Sequence, residues 1–168
     1  AHNLTEVPNR FILQSSDGHA ETDTVIVRDI LEKKGGEVLL AARDATITDT
    51  VAAMCEKGVG SALVLDDDGL PAGILTERDV MRSFAAHGAK LGKLKVGDLM
   101  SAPVKTVGPD ATVISVMQLM TSHRFRHVPI IDDGKLVGIV SIGDVVKTRL
   151  AETEFEAESL RQYISTSY

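Results

Sequence analysis

Cysteine is nearly missing from this sequence. Cys55 stands alone among 168 residues, so no disulfide forms within the chain and no cysteine cluster exists for zinc. A reducing cytoplasm is the expected home. No apolar run approaches the length of a membrane span, and the N-terminus has no basic-then-apolar signal pattern. Positive charge is in short supply: 18 Lys and Arg stand against 24 Asp and Glu, for a net charge of −6. That balance disfavours general attraction to nucleic acid or to an anionic membrane. Catalytic patterns are missing too. His2, His19, His87, His123 and His127 lack metal-ligand spacing with acidic or sulfur partners, so no metal is expected. Gly58-Val59-Gly60 runs into no phosphate loop and no dinucleotide-binding turn. Cys55 falls on the apolar face of a helix, where a buried, inert thiol is expected. These absences argue against an enzyme.

What is present is a duplication. Gly138-Ile139-Val140-Ser141-Ile142-Gly143-Asp144 repeats the pattern of Gly73-Ile74-Leu75-Thr76-Glu77-Arg78-Asp79, 65 positions earlier (138 − 73). Each copy reads as a short strand running into a helix, with the hydroxyl residue at the N-cap and the Asp at N3. Asp44-Ala45-Thr46-Ile47 matches Asp110-Ala111-Thr112-Val113, 66 apart (110 − 44), and both open amphipathic helices. Ile47, Val51, Met54 and Cys55 line the first, and Val113, Val116, Met117 and Met120 the second. Thr46 and Asp49 form a capping box. Val38-Leu39-Leu40 and Val104-Lys105-Thr106 precede these helices as matching strands. Ala62-Leu63-Val64-Leu65 and Val128-Pro129-Ile130-Ile131 follow as buried strands that turn at Asp-Gly into the closing motif. Val27 to Glu32 and Val96 to Met100 echo one another as short helices, 69 apart (96 − 27). The chain therefore carries two strand-helix-strand-strand-helix units, an α+β tandem repeat. It is long enough for a sizeable core, and its 43% hydrophobic and 25% charged residues suit a globular protein.

The closing motifs bear chemistry. A hydroxyl at a helix N-terminus, beside backbone N–H groups and the positive end of the macrodipole, is an anion site. A carboxylate one turn later accepts hydrogen bonds from a vicinal diol such as ribose. Thr76 with Asp79, and Ser141 with Asp144, supply that pair twice. The same residues also serve as capping boxes, contributing about 0.5–2 kcal/mol to each helix, and the residues alone leave both roles open.

The order of elements, with Gly-apolar-apolar-Thr/Ser-x-x-Asp closing each copy, resembles the CBS domain, named after cystathionine β-synthase. The likeness spans about residues 25 to 150. The residues themselves read as an N-terminal arm at 1–24 (mobile, or an edge strand at Phe11-Ile12-Leu13), a linker at 87–95 and an acidic helix at 151–168, and the likeness sets a first domain at 25–86 and a second at 96–150. It implies two domains packed through their sheets as a pseudo-twofold pair, a stand-alone bacterial-type module, and a homodimer of such pairs. It also implies a cleft that binds an adenine nucleotide: AMP, ATP, ADP or NAD(H).

Carried over by position, Thr76, Asp79, Ser141 and Asp144 hold ribose and phosphate, while Thr106 and Val107 meet adenine. Arg126 and His127 contact phosphate, with Arg124 third, because basic residues just ahead of this strand do so in the family. A guanidinium suits phosphate through its planar fork. Gly60 and Ser61 leave the first copy without that charge, so its site is weaker, borrows charge across the module, or is empty. Arg78 either supplies the charge or pairs with a carboxylate on its own helix. Pro129 reads as geometric. The acidic tail helix, with Leu150, Phe155, Leu160, Tyr163 and Ile164 as its apolar residues, reads as a solvated helix packing on a partner. One strongly basic site ranks AMP first. The expected function is energy sensing: occupancy biases the relative orientation of the copies and is passed to an effector protein that the sequence does not name. NAD(H) sensing and a ligand-free dimerisation scaffold are the alternatives.

Overall fold

The computed structural model describes residues 25–166; the N-terminal arm, with Phe11-Ile12-Leu13, lies outside the described residues. Helix α1 spans Val27–Lys34 and α2 spans Ile47–Lys57; strands β1 (Ser61–Leu65) and β2 (Pro71–Thr76) run into α3 (Glu77–His87). The second copy holds α4 (Val96–Leu99), α5 (Val113–His123), β3 (His127–Asp132), β4 (Lys135–Ser141) and α6 (Ile142–Thr166). Each hairpin is antiparallel, pairing Leu63 with Ile74 in one copy and Val128 with Val140 in the other. The closing helices start as the motif requires. Thr76 caps α3, the Asp79 carboxylate turns back to the Thr76 N–H at 2.9 Å, and Asp144 does the same to Ser141 at 2.8 Å.

The opening strands expected at Val38-Leu39-Leu40 and Val104-Lys105-Thr106 shrink to one parallel bridge each, Leu40 with Leu63 and Val107 with Ile130. Proline explains part of the second. Leu63 donates its N–H to Leu39 O and accepts from Ala41 N, whereas Pro129, its counterpart, can only accept, from Val107 N at 3.2 Å. The ladder moves one residue on, where Ile131 donates to Val107 O at 2.9 Å.

The copies exchange their leading helices. Val27 and Ile30 of α1 are buried with Val113, Val116, Val128, Ile130, Val140 and Val145 of the second copy. Val96 of α4 is buried with Ile47, Val64 and Leu75 of the first. Backbone bonds fasten both exchanges alike. Val27 N donates to Ala111 O as Val96 N does to Ala45 O, and Val113 N to Val25 O as Ile47 N does to Leu94 O. Leu63, Ile74 and Pro129 are buried as well, although strand alternation points them away from those clusters. The segment 88–93 joining the copies is a 3-10 helix whose Leu91 enters the first core.

Exchange accounts for the glycine that opens each closing motif. A Cβ on Gly138 would stand 2.7 Å from Leu31 Cδ2 of α1, and one on Gly73 would overlap the Met100 side chain just beyond α4. Leu31 and Met100 are themselves counterparts, 69 apart (100 − 31). We expect Gly138→Ala to cost about 1–3 kcal/mol in urea unfolding. Combining it with Leu31→Ala should cost less than the sum of the single changes. Simple additivity would show that the two residues do not compete for this space.

Cys55 departs from expectation: it is exposed. The buried face of α2 runs through Ile47, Thr50 and Met54, at helical spacing. Cys55 lies one residue past its centre and borders an open apolar recess with Val51, Val59 and Met81.

Candidate functional site

The exchange brings the first copy's closing helix opposite the second copy's basic segment. Between them lies a cavity of about 410 Å³. Thr76, Glu77, Arg78, Asp79 and Arg82 line one side, and His123, Arg124, Phe125, Arg126 and His127 the other, with Ile74 and Ser101 at the base. Of the residues singled out from sequence, Thr76, Arg78, Asp79, Arg124, Arg126 and His127 meet here. Ser141 and Asp144 lie at the start of α6 and do not line this cavity. Thr106 is exposed, and Val107 packs against the second copy's core.

Local structure sets each group. Asp79 uses Oδ2 for the Thr76 amide at 2.9 Å and the Thr76 hydroxyl at 2.6 Å. Its Oδ1 receives a long bond of 3.3 Å from the Ser101 hydroxyl, which leaves acceptor capacity towards the cavity. The first amide of α3 is already taken, because Glu77 N donates to Gly60 O at 3.1 Å, and Ile142 N likewise donates to Arg126 O at 2.8 Å. Charge at the site therefore comes from side chains more than from the helix end.

Arg124 terminates α5 in the left-handed region at φ 59°, where the first copy has Gly58 at φ 63°. A residue with a Cβ pays conformational strain there. Its carbonyl accepts the Arg78 guanidinium at 3.0 Å, a bond between the two copies. Arg78 thus pairs with neither carboxylate of its own helix. Phe125 tilts against His123, ring centres 5.7 Å apart, and supplies apolar surface.

The second motif is engaged differently. Asp144 Oδ2 accepts the Ser141 amide at 2.8 Å, the Ser141 hydroxyl at 2.8 Å and Lys34 Nζ at 2.7 Å. Burial pushes this carboxyl up, but the bonds from Lys34 and Ser141 outweigh it and hold Asp144 below the usual carboxylate range. No sequence signal ties Lys34 to Asp144, since 110 residues separate them and α1 arrives by exchange (144 − 34).

His127 stands between the motifs. Burial lowers its pKa, with Lys34 and Arg126 acting the same way and Glu77 and Asp144 opposing. It is neutral near pH 7, which leaves the positive charge of this wall to the arginines. Its Nδ1 is buried without a hydrogen-bond partner among the described residues. Glu77, Arg82, Ser101 and Phe125 were not singled out in advance. Arg82 follows Arg78 at i+4 and shares its helix face, the one available hint. Among the described residues no group of three or more His, Cys, Asp or Glu is placed to hold a metal, and no helix is long and apolar enough to cross a membrane.

A lowered histidine pKa gives a pH dependence of definite sign. The unfolded chain binds the proton that folded His127 refuses, so stability declines as pH falls below 6.5, the ordinary histidine value. Asp144 contributes its own loss only lower, below 3.8. Urea unfolding followed from pH 6.5 downward should show stability falling with pH through this group. His127→Gln should flatten that slope; an unchanged slope would assign it elsewhere.

Comparison with known proteins follows the same architecture. The family model described as CBS domain matches residues 27–86 and 96–151. The chain is 37% identical over 154 residues to the CBS domain-containing protein CBSX3, mitochondrial, of Arabidopsis thaliana, covering 87% of this chain and 75% of that one. The crystal structure of the CBS-domain containing protein ATU1752 from Agrobacterium tumefaciens superposes with a TM-score of 0.71 at 38% identity, covering 74% of this chain and 99% of that one. The CBS domain pair of protein MJ0100, solved with 5′-methylthioadenosine and S-adenosyl-L-methionine, shares the fold at 24% identity and a TM-score of 0.64, covering 74% of this chain and 98% of that one.

Proposed function

The chain belongs to the CBS-domain family, with two domains in tandem, and from that premise we propose a regulatory, non-catalytic role. It binds an adenine nucleotide, AMP ahead of ATP, ADP or NAD(H), and passes occupancy to a partner protein. One observation carries the reading: Asp79, with acceptor capacity left on Oδ1, faces a guanidinium-rich wall across a cavity shared by the two copies. The volume, about 410 Å³, falls in the range of small-molecule sites.

Charge ranks the ligands. Arg78, Arg82, Arg124 and Arg126 line the cavity together with Glu77 and Asp79, a formal balance of +2 (4 − 2). A phosphate monoester carries about −1.5 to −2 near pH 7, so one such group neutralises the wall. Ribose hydroxyls donate to Asp79, the phosphate lies among Arg124, Arg126 and the His127 N–H, and adenine rests against Phe125 and Ile74. At the second motif, Lys34 bonds Asp144 Oδ2 and neutralises the carboxylate that would receive ribose, which favours one nucleotide per chain. Ligand bridging α3 and the β3 entry biases the orientation of the copies, and α6, continuous from β4 into the acidic tail, carries the change outward.

Calorimetry with AMP tests this. The native chain should give saturable heat; Asp79→Ala should weaken binding by about tenfold or more, and Asp144→Ala by less than about threefold. Arg124→Gly should raise stability by about 0.5–1 kcal/mol, by relieving the left-handed strain, while weakening AMP. Absence of heat at protein concentrations far above micromolar would overturn the reading. A dominant loss at Asp144 would move the ligand to the other motif.

A further inference from the structure

Helix α6 runs unbroken from Ile142 to Thr166, and its main contacts with the body are to α5, β4 and α1. From Thr153 to Ile164 every residue is exposed. A solvated helix face does not ordinarily carry Leu150, Leu160 and Ile164 exposed at 59%, 64% and 62%. Their spacing is the informative feature. Val146, Leu150, Thr153, Ala157, Leu160 and Ile164 follow one another in steps of four and three, the heptad seam of a coiled coil. Phe155 stands outside this stripe.

The flanking charges select the partner and its direction. In heptad terms Arg149 and Glu156 hold g positions, and Glu154 and Arg161 hold e positions. Two such helices side by side in parallel set Arg149 of each against Glu154 of the other, and Glu156 against Arg161, opposite charges throughout. An antiparallel pair with the seam in register sets Glu156 against Glu156, Glu154 against Glu154 and Lys147 against Arg161, like charges throughout. Arg161 has no tight claim on it within the helix, since its ion pair with Glu158 is 3.6 Å long and exposed.

We infer that α6 pairs in parallel with the α6 of a second copy of this chain, through the seam from Val146 to Ile164. About three heptads alone make a marginal helix pair, so the contact forms weakly and reversibly.

Cross-linking reads both direction and charge. In a Cys55→Ser background, Leu160→Cys should form a disulfide-linked dimer under mild oxidation, because facing seam positions come within disulfide reach. Adding Glu156→Arg should slow that reaction about tenfold, and adding Arg161→Glu to it should restore the rate. Any of three results overturns the inference: no self-linked dimer, linking at Leu160→Cys only when mixed with Leu150→Cys chains as an antiparallel pair requires, or self-linking indifferent to the charge reversals. All these positions are exposed and lie outside the core.

Discussion

The reciprocal exchange of leading helices is the constraint on which this molecule depends. Val27 and Val96 are fully buried in the opposite copy's core, each tied there by matched backbone bonds to the loop ahead of a main helix. Neither sequence copy alone completes its own core. Small units of about sixty residues are marginal in any case, and sharing helices makes the two one cooperative body. The motif glycines follow from this, since Gly73 and Gly138 leave the space into which Met100 and Leu31 pack.

Symmetry in the backbone and asymmetry in the side chains together shape the cavity. The pairing of the copies faces Thr76 and Asp79 with Arg124 and Arg126, and sets Ser141 and Asp144 beside Lys34 of α1. Where the second copy carries arginine in a left-handed turn, the first carries Gly58, which adopts that conformation without cost. Beyond the shared cap, Asp79 accepts the Ser101 hydroxyl on Oδ1, whereas Asp144 is paired with the Lys34 ammonium on Oδ2. Strain at Arg124 and the buried Nδ1 of His127, without a hydrogen-bond partner among the described residues, both fall on the wall of the cavity, as is common at sites shaped for something other than stability.

Much of the fold was legible because its signals are local. Thr76-x-x-Asp79 and Ser141-x-x-Asp144 cap helices within four residues, the Asp-Gly turns close hairpins, and apolar spacing marks α2 and α5. Long-range pairing was not. The different offsets, 69 for the leading helices and 66 for the main ones (96 − 27, 110 − 44), reveal repetition but not which core each leading helix enters. Lys34 and Asp144 meet only through that exchange. Cys55 shows the resolution of periodicity: one residue, a turn of about 100°, separates a core position from a surface one. His127 looked like a cation because its neighbours are basic, and burial, which sequence reports poorly, makes it neutral.

A crystal structure of the chain with AMP measures the central claim directly. The account predicts one nucleotide per chain, its ribose on Asp79 and its phosphate among Arg124, Arg126 and His127, with the Lys34–Asp144 pair intact. A nucleotide held by Ser141 and Asp144 with that pair broken, or a cleft that stays empty at saturating AMP, would contradict it.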